Sequence, residues 1–259
     1  RPWLRFQGKV KMRNLKDPAC GEDCRVDMAL QGPRSLEILK RLADNADRLQ
    51  RLEKFELTPC QLAGIDVIVA RTGYTGEALG YEIFVHPSRA VELWRTLLEK
   101  GRDLELVPCG LGARDSLRTE AGFPLHGHEL AGPHQINPIE AGYGAYVRLH
   151  KPFFVGRKWA LRWHLERKRK VVRFEVDEKG GKVLRPGSPV LAGRKNEYAG
   201  VVTSVVATDE RQIGLALLES SFAREGSTIH IIPVTAHDPQ PPARSPAELK
   251  AGDWMAVPR

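Results

Sequence analysis

The sequence predicts an α+β protein with antiparallel sheets packed against helices and a separate small β-domain at the C-terminal end. Two runs rich in β-branched and aromatic residues, 64–70 and 80–85, flank a glycine-rich connection and indicate two strands of one sheet. Residues 33–54 and 87–100 carry apolar side chains at helical spacing. Beyond residue 170, short apolar runs alternate with glycine and proline turns, which is typical of a small β-domain.

The size and composition are those of a globular protein. The chain has 259 residues, enough for two ordinary domains, and it is 42% apolar and 28% charged. No apolar run approaches the roughly 18 residues that indicate a membrane span. The net charge of +8 favours acidic partners without choosing among phosphates, carboxylates and acidic proteins. Position 1 is Arg and no apolar signal-peptide core follows it, so we expect the sequence to start inside a longer chain.

Each element has a local signal. Pro33 suits the first turn of a helix because its φ angle is already helical, and Gly101 supplies a stop for the helix before it. The predicted helices cover residues 33–54, as one helix or two, 87–100 and 111–121. The predicted strands cover residues 26–30, 64–70, 80–85, 171–176, 200–206, 212–218 and 228–234.

The connection between the first two long strands has the composition of a binding loop. It reads Arg-Thr-Gly-Tyr-Thr-Gly-Glu over residues 71–77, and Glu82 follows on the next strand. Its glycines let the backbone approach a flat ligand, Tyr74 offers a ring for stacking or hydrogen bonding, and Glu82 offers a charged acceptor. The alternative is a hairpin-like loop with a tyrosine at the strand edge and a solvated glutamate.

A second cluster lies at the start of the third predicted helix, where residues 110–118 read Gly-Leu-Gly-Ala-Arg-Asp-Ser-Leu-Arg. Arg114 and Arg118 are four residues apart and share one helix face, so the pair could grip a carboxylate through the guanidinium forks. The alternative is an ordinary surface face whose arginines pair with Asp115 and Glu120.

Together these segments resemble the tetrahydrofolate-dependent aminomethyltransferases, the T-protein family of the glycine cleavage system. The resemblance covers about residues 26 to 218. The further motifs that carry it, in the family's order, are Leu-Gln-Gly-Pro at 30–33, Pro-Leu-His-Gly-His-Glu-Leu at 124–130, Asn-Pro-Ile-Glu-Ala-Gly at 137–142 and Gly-Val-Val-Thr-Ser at 200–204.

The resemblance implies a fold of three pieces around a folate channel. Residues 1–170 would form a partial folate-binding region of two intertwined subdomains, and residues 171–259 a small β-barrel. It also implies that Glu82 hydrogen-bonds the amino face of the pterin, that Tyr74 lines the pterin pocket, and that Arg114 contacts the bound folate. The implied reaction transfers a methylene unit from the aminomethyl-lipoyl H-protein to tetrahydrofolate with release of ammonia. We expect a cytoplasmic protein, or a mitochondrial matrix protein if the source is eukaryotic.

The sequence departs from the family pattern in four places. The family's key aspartate precedes the Leu-Gln-Gly-Pro motif, where Asp23 and Asp27 stand too close to replace it, so we expect no catalytic residue on this chain and little turnover by it alone. The loop before Glu82 is one residue longer than usual, which a bulge could absorb. Ala145 stands where the family usually has tryptophan, and the arginine expected late in the barrel is not evident near Val234.

Other constellations favour structural roles. His126, His128 and His134 cluster without a metal-motif spacing, so no metal site is predicted. The basic residues 157–170, with tryptophans four apart, resemble a nucleic-acid surface, but that spacing indicates packing beside a domain junction. Phosphate-loop and serine-hydrolase motifs are absent. The remaining alternatives are a folate-dependent demethylase on the same scaffold and a non-catalytic folate-binding relative.

Overall fold

The computed structural model describes residues 13–177, 181–208, 211–235 and 255–256. The chain forms two compact units, Arg1–Gly110 and Leu111–Arg259. Each unit combines an antiparallel sheet with helices, which confirms the predicted α+β class. The division predicted after residue 170 stays a prediction.

A four-stranded antiparallel sheet forms the centre of the first unit, with the strand order β1-β4-β3-β2. Its strands are β1 Val26–Gln31, β2 Leu57–Leu62, β3 Ile65–Ala70 and β4 Gly80–Val85. Strand β2 was not predicted, because Pro59 interrupts it and only Thr58 and Leu62 are buried. Its place at the edge of the sheet explains why proline is accepted, since an edge strand needs no donor on its outer side.

The described part of the first unit contains the helices α1 Ser35–Lys40, α2 Ala46–Arg51 and α3 Pro87–Lys100. The predicted region 33–54 therefore forms two short helices. Asn45 separates them, because its side chain accepts a hydrogen bond from the Arg48 amide at 3.0 Å and caps the start of α2. Short 3-10 turns lie at Pro18–Asp23 and Arg102–Leu104.

The core of the first unit lies on one face of the sheet. In β4 the side chains of Tyr81, Ile83 and Val85 are buried in a cluster that also contains Leu93 of α3. Because successive side chains of a strand alternate between faces, Glu82 projects to the opposite face, where it is half-buried.

The second unit contains a five-stranded antiparallel sheet with the order β5-β8-β7-β6-β9. Helix α4 contacts β7 and β8. The strands are β5 Arg169–Glu175, β6 Pro189–Ala192, β7 Glu197–Ala207, β8 Gln212–Glu219 and β9 His230–Ile231. The helices are α4 Leu111–Glu120 and α5 Arg157–Leu165, with a 3-10 turn at Tyr143–Tyr146. A parallel pair of short strands, β10 Val234–Thr235 and β11 Met255–Ala256, also belongs to this unit.

The sheet of the second unit is open, so the predicted small β-barrel does not close in the described part of the chain. Register shifts opposite β6 and β8 give β7 two irregularities, which bend a sheet locally. The end strands β5 and β9 are not paired with each other. A cleft of about 930 Å³, lined by β5 and by residues 222–233, lies where closure would bring them together.

Within the described ranges, no helix has both the length and the apolar character that crossing a membrane requires.

Candidate functional site

The predicted binding loop connects β3 to β4 and carries Glu82 just beyond its end. Glu82 pairs with Ala70 of β3 on one side and with Ala29 of β1 on the other, without a register shift in either ladder. The bulge that could absorb a longer loop is therefore not observed in these two ladders. The Glu82 carboxylate accepts a hydrogen bond from the Thr72 hydroxyl at the start of the loop.

The side chain of Gln31, at the end of β1, forms hydrogen bonds with the loop. Its side-chain amide donates to the carbonyl of Thr72 at 3.2 Å and to the carbonyl of Tyr81 at 3.1 Å. Its Oε1 accepts a hydrogen bond from the Thr75 hydroxyl at 3.1 Å. The Leu-Gln-Gly-Pro motif and the glycine-rich loop are thus parts of one hydrogen-bonded structure.

The same side chain explains two glycines of the loop region. A Cβ atom added at Gly73 would lie 2.0 Å from Oε1 of Gln31, and one added at Gly80 would lie 2.3 Å from it. Both distances are far below van der Waals contact, so any larger residue would displace Gln31 from its hydrogen bonds. These glycines make room for the residue that fixes the loop.

The structure places two of the three predicted folate-binding residues in the first unit. Tyr74 is half-buried within the loop, and Glu82 is half-buried on the strand that the loop enters. Arg114 belongs to the second unit, in the first turn of α4, where it is exposed.

Arg118 does not join Arg114 in an exposed pair, so the predicted carboxylate grip by two arginines is wrong. Arg118 is 0% exposed and donates to Oδ1 of Asp115, at 2.8 Å from Nε, and to Oε2 of Glu129, at 3.1 Å from Nη1. It also donates to the Ser204 hydroxyl at 2.8 Å. Its guanidinium therefore binds interior groups. Of the alternative, the pairing of Arg118 with Asp115 is observed, but Arg118 does not lie on an exposed face.

Glu129 completes this buried network. Its carboxylate is 0% exposed and accepts from the Ser204 hydroxyl at 2.6 Å and from the Leu125 amide at 2.8 Å. Burial alone would raise the pKa of Glu129, but these hydrogen bonds and the Arg118 charge outweigh it and lower the pKa below its ordinary value. The network joins three of the sequence motifs, those at 110–118, 124–130 and 200–204.

The Asn-Pro-Ile-Glu motif forms a second polar network, which connects a turn to β5. The Asn137 side chain accepts hydrogen bonds from the amides of Ile139 and Glu140, both at 3.0 Å, and so shapes the turn. The Glu140 carboxylate binds Arg169 of β5 through Nε at 3.0 Å and Nη2 at 3.2 Å. This pair anchors the turn to the sheet of the second unit.

Two of the three histidines lie beside these networks. His128 lies 3.3 Å from the Arg118 guanidinium, and burial followed by the charge of Arg169 lowers the pKa of His134. Among the residues that the structure describes, no group of three or more His, Cys, Asp or Glu side chains is arranged to hold a metal ion.

Helix α5 and its flanks form a basic surface with exposed aromatic rings, which we call the α5 surface (residues 148–168). This stretch contains seven Lys and Arg residues and one Glu. Its net charge is therefore +6, in a chain whose net charge is +8. Trp159 is 54% exposed and Trp163 is 40% exposed, so the packing predicted from their spacing is not observed. The Arg162 guanidinium lies 5.9 Å from the centre of the Trp159 ring.

Comparisons with known proteins agree with the motifs. A sequence profile of the GCVT N-terminal domain matches residues 7–151, more than half of the chain. An aminomethyltransferase from Caldanaerobacter subterraneus subsp. tengcongensis is 40% identical over 228 residues, which cover 86% of this chain and 57% of that protein. An aminomethyltransferase from Moorella thermoacetica is 42% identical over 208 residues, which cover 79% of this chain and 54% of that protein.

A solved structure shares the fold. The glycine cleavage system aminomethyltransferase T from Bartonella henselae superimposes with a TM-score of 0.65 at 28% identity, over 80% of this chain and 55% of that one. The chain thus spans a little over half the length of the relatives it matches. On the profile match, the identity to the curated relatives and the shared fold, this chain belongs to the GCVT family of aminomethyltransferases.

Proposed function

We propose that the protein binds tetrahydrofolate and takes part in the aminomethyltransferase reaction of the glycine cleavage system. In that reaction a methylene unit passes from the aminomethyl-lipoyl arm of the H-protein to tetrahydrofolate, and ammonia is released. The observation that carries the proposal is the Glu82 carboxylate, half-buried on the face of the first sheet opposite the core and held by the Thr72 hydroxyl.

The chemistry of a pterin suits this carboxylate. The 2-amino-4-oxopyrimidine edge presents two neighbouring N–H donors, and a carboxylate can accept both because each oxygen has two lone pairs. Hydrogen bonds to an ionised acceptor are stronger than those between neutral groups and fix the ring in one orientation. Tyr74, in the adjoining loop, would supply a wall of the pterin pocket, and Arg114 would contact the folate through its charge.

Orientation is the main service that such residues can provide. The reacting folate nitrogen must approach the methylene carbon of the lipoyl arm in line, and an enzyme that holds both converts an encounter into a nearly unimolecular step. Glu82 would set the rotation of the pteridine, and Tyr74 would limit its tilt.

We infer that the lipoylated H-protein is the protein partner and that it meets the α5 surface. The concentration of positive charge there favours an acidic protein, and exposed aromatic side chains are enriched at protein interfaces. We expect the protein to work in the cytoplasm, or in the mitochondrial matrix of a eukaryote.

Calorimetric titration with tetrahydrofolate tests the proposal on the wild type, on Glu82→Ala and on Glu77→Ala. Glu77 is the matched control because it is an exposed glutamate in the same loop, and its carboxylate accepts a hydrogen bond from the neighbouring Ala78 amide. Loss of hydrogen bonds to a charged group predicts at least about tenfold weaker binding for Glu82→Ala. Glu77→Ala should bind like the wild type. Equal affinity of Glu82→Ala and the wild type would remove Glu82 from the site.

A further inference from the structure

We infer that Thr72 is a positioning residue for ligand recognition, because it fixes the carboxylate of Glu82 in the orientation that a flat heterocycle with two adjacent N–H donors requires. The inference rests on the proposed folate site. It assigns to the threonine of the glycine-rich loop a role in affinity that acts through Glu82.

The hydrogen bonds that support Thr72 come from both of its polar groups. Its hydroxyl donates to Oε2 of Glu82, and its carbonyl accepts from Nε2 of Gln31 at 3.2 Å. The same Gln31 amide group donates to the carbonyl of Tyr81, the residue before Glu82, at 3.1 Å. Gln31 therefore fixes the backbone at both ends of the contact, and Thr72 fixes the carboxylate.

A carboxylate needs such support because the terminal torsion of glutamate has no sharp minimum. An unsupported carboxylate samples many rotations. Ligand binding then orders it in one of them, and the lost conformational entropy weakens the affinity. The hydrogen bond from Thr72 uses one lone pair of Oε2, which leaves acceptor positions on both oxygens for a ligand. The arrangement recognises a pair of parallel N–H donors and disfavours a ring edge that presents an acceptor there.

Among the described residues, the carboxylate of the loop itself, that of Glu77, has no comparable support. Glu77 is exposed and accepts only from the Ala78 amide at 2.8 Å among its hydrogen bonds in the described ranges. The Thr75 hydroxyl donates a hydrogen bond to Oε1 of Gln31 at 3.1 Å, so it stabilises the loop and does not orient Glu82. Thr72→Val is therefore the selective perturbation, because valine keeps the shape of threonine and removes only the hydroxyl.

A thermodynamic cycle separates this role from a general effect on the fold. Tetrahydrofolate is titrated, up to millimolar concentration, into the wild type, Thr72→Val, Thr72→Ser, Glu82→Ala and Thr72→Val/Glu82→Ala. In Thr72→Val, binding must order the Glu82 carboxylate, and the entropy of immobilising one side chain predicts about two- to tenfold weaker binding. Thr72→Ser, which restores the donor, should bind within about twofold of the wild type because the hydrogen bond is retained. The double variant should bind no more weakly than Glu82→Ala alone.

Two results would overturn the inference while leaving the proposed function in place. The first is wild-type affinity in Thr72→Val. The second is the same loss from Thr72→Val in both the wild-type and the Glu82→Ala backgrounds, because an effect that does not depend on Glu82 is structural. Failure of the wild-type protein to bind tetrahydrofolate would instead contradict the proposed function itself.

Discussion

Replacing Arg118 by methionine should destabilise the second unit strongly. Arg118 and Glu129 are both 0% exposed and lie 3.1 Å apart, so the substitution leaves a buried carboxylate without its counter-charge. Removing one partner of a buried ion pair costs about 3–5 kcal/mol. For a protein of this size each kcal/mol lowers the melting temperature by about 2–4 °C, so the expected decrease is about 6–20 °C.

Thermal and urea unfolding of three variants measure this cost. Arg162→Met is the matched control, since Arg162 also lies on a helix and pairs with Glu166 at 2.9 Å, but both side chains are 59% exposed. That variant should melt with the wild type. The double variant Arg118→Met/Glu129→Met removes both charges and should be more stable than Arg118→Met alone. A wild-type melting temperature for Arg118→Met would refute the reasoning.

The pH dependence of the same variants gives an independent check. The folded state lowers the pKa of Glu129. Its contribution to folding stability is therefore fully present above the unfolded-state pKa of 4.5, and it is lost as the pH falls through the folded-state pKa. The wild type should therefore lose more stability than the double methionine variant as the pH falls below 4.5. Parallel curves for the two proteins would show that Glu129 does not contribute.

Two further predictions concern the loop and the α5 surface. Replacing a strand glycine by alanine usually raises stability. Gly80→Ala should instead lower the free energy of unfolding in urea by about 1–3 kcal/mol, because the new Cβ displaces Gln31. The cost should vanish in a Gln31→Ala background, and its persistence there would contradict the explanation. Lys158→Glu should slow association with aminomethylated H-protein about threefold at low salt, and less at high salt. Lys195→Glu makes the same charge change in the β6–β7 turn and should leave the association rate unchanged. Equal rates for both variants would exclude the α5 surface.

The sequence predicted the elements with a regular apolar pattern. Strands β3 and β4 and helix α3 lie within a residue or so of their expected bounds, because buried side chains alternate in the strands and share one face of the helix. Strand β2 also alternates in burial, but the sequence did not predict it, because its buried Thr58 and exposed Leu57 give no alternation of residue type and Pro59 is unfavourable within a strand. The open end of the second sheet depends on long-range strand pairing, which local patterns do not encode.

The candidate site was predictable only as a set of residues. The motifs predicted Tyr74, Glu82 and Arg114 as candidates, and this stays a prediction. No spacing rule relates Gln31 to a loop more than 40 positions away. Arg118 was misinterpreted for a similar reason, since arginine is usually exposed and its partner Ser204 lies 86 positions along the chain. Residue type and local spacing indicate where chemistry is possible, and long-range contacts decide which side chains remain available for it.

The most direct test of the account is a crystal structure of the protein with tetrahydrofolate bound. We predict that the carboxylate oxygens of Glu82 lie at hydrogen-bonding distance, about 2.7–3.2 Å, from the 2-amino group and the adjacent ring nitrogen of the pteridine. The Thr72 hydroxyl should remain on Oε2. A pteridine bound elsewhere, or a Glu82 side chain directed into solvent beside an occupied site, would contradict the central claim.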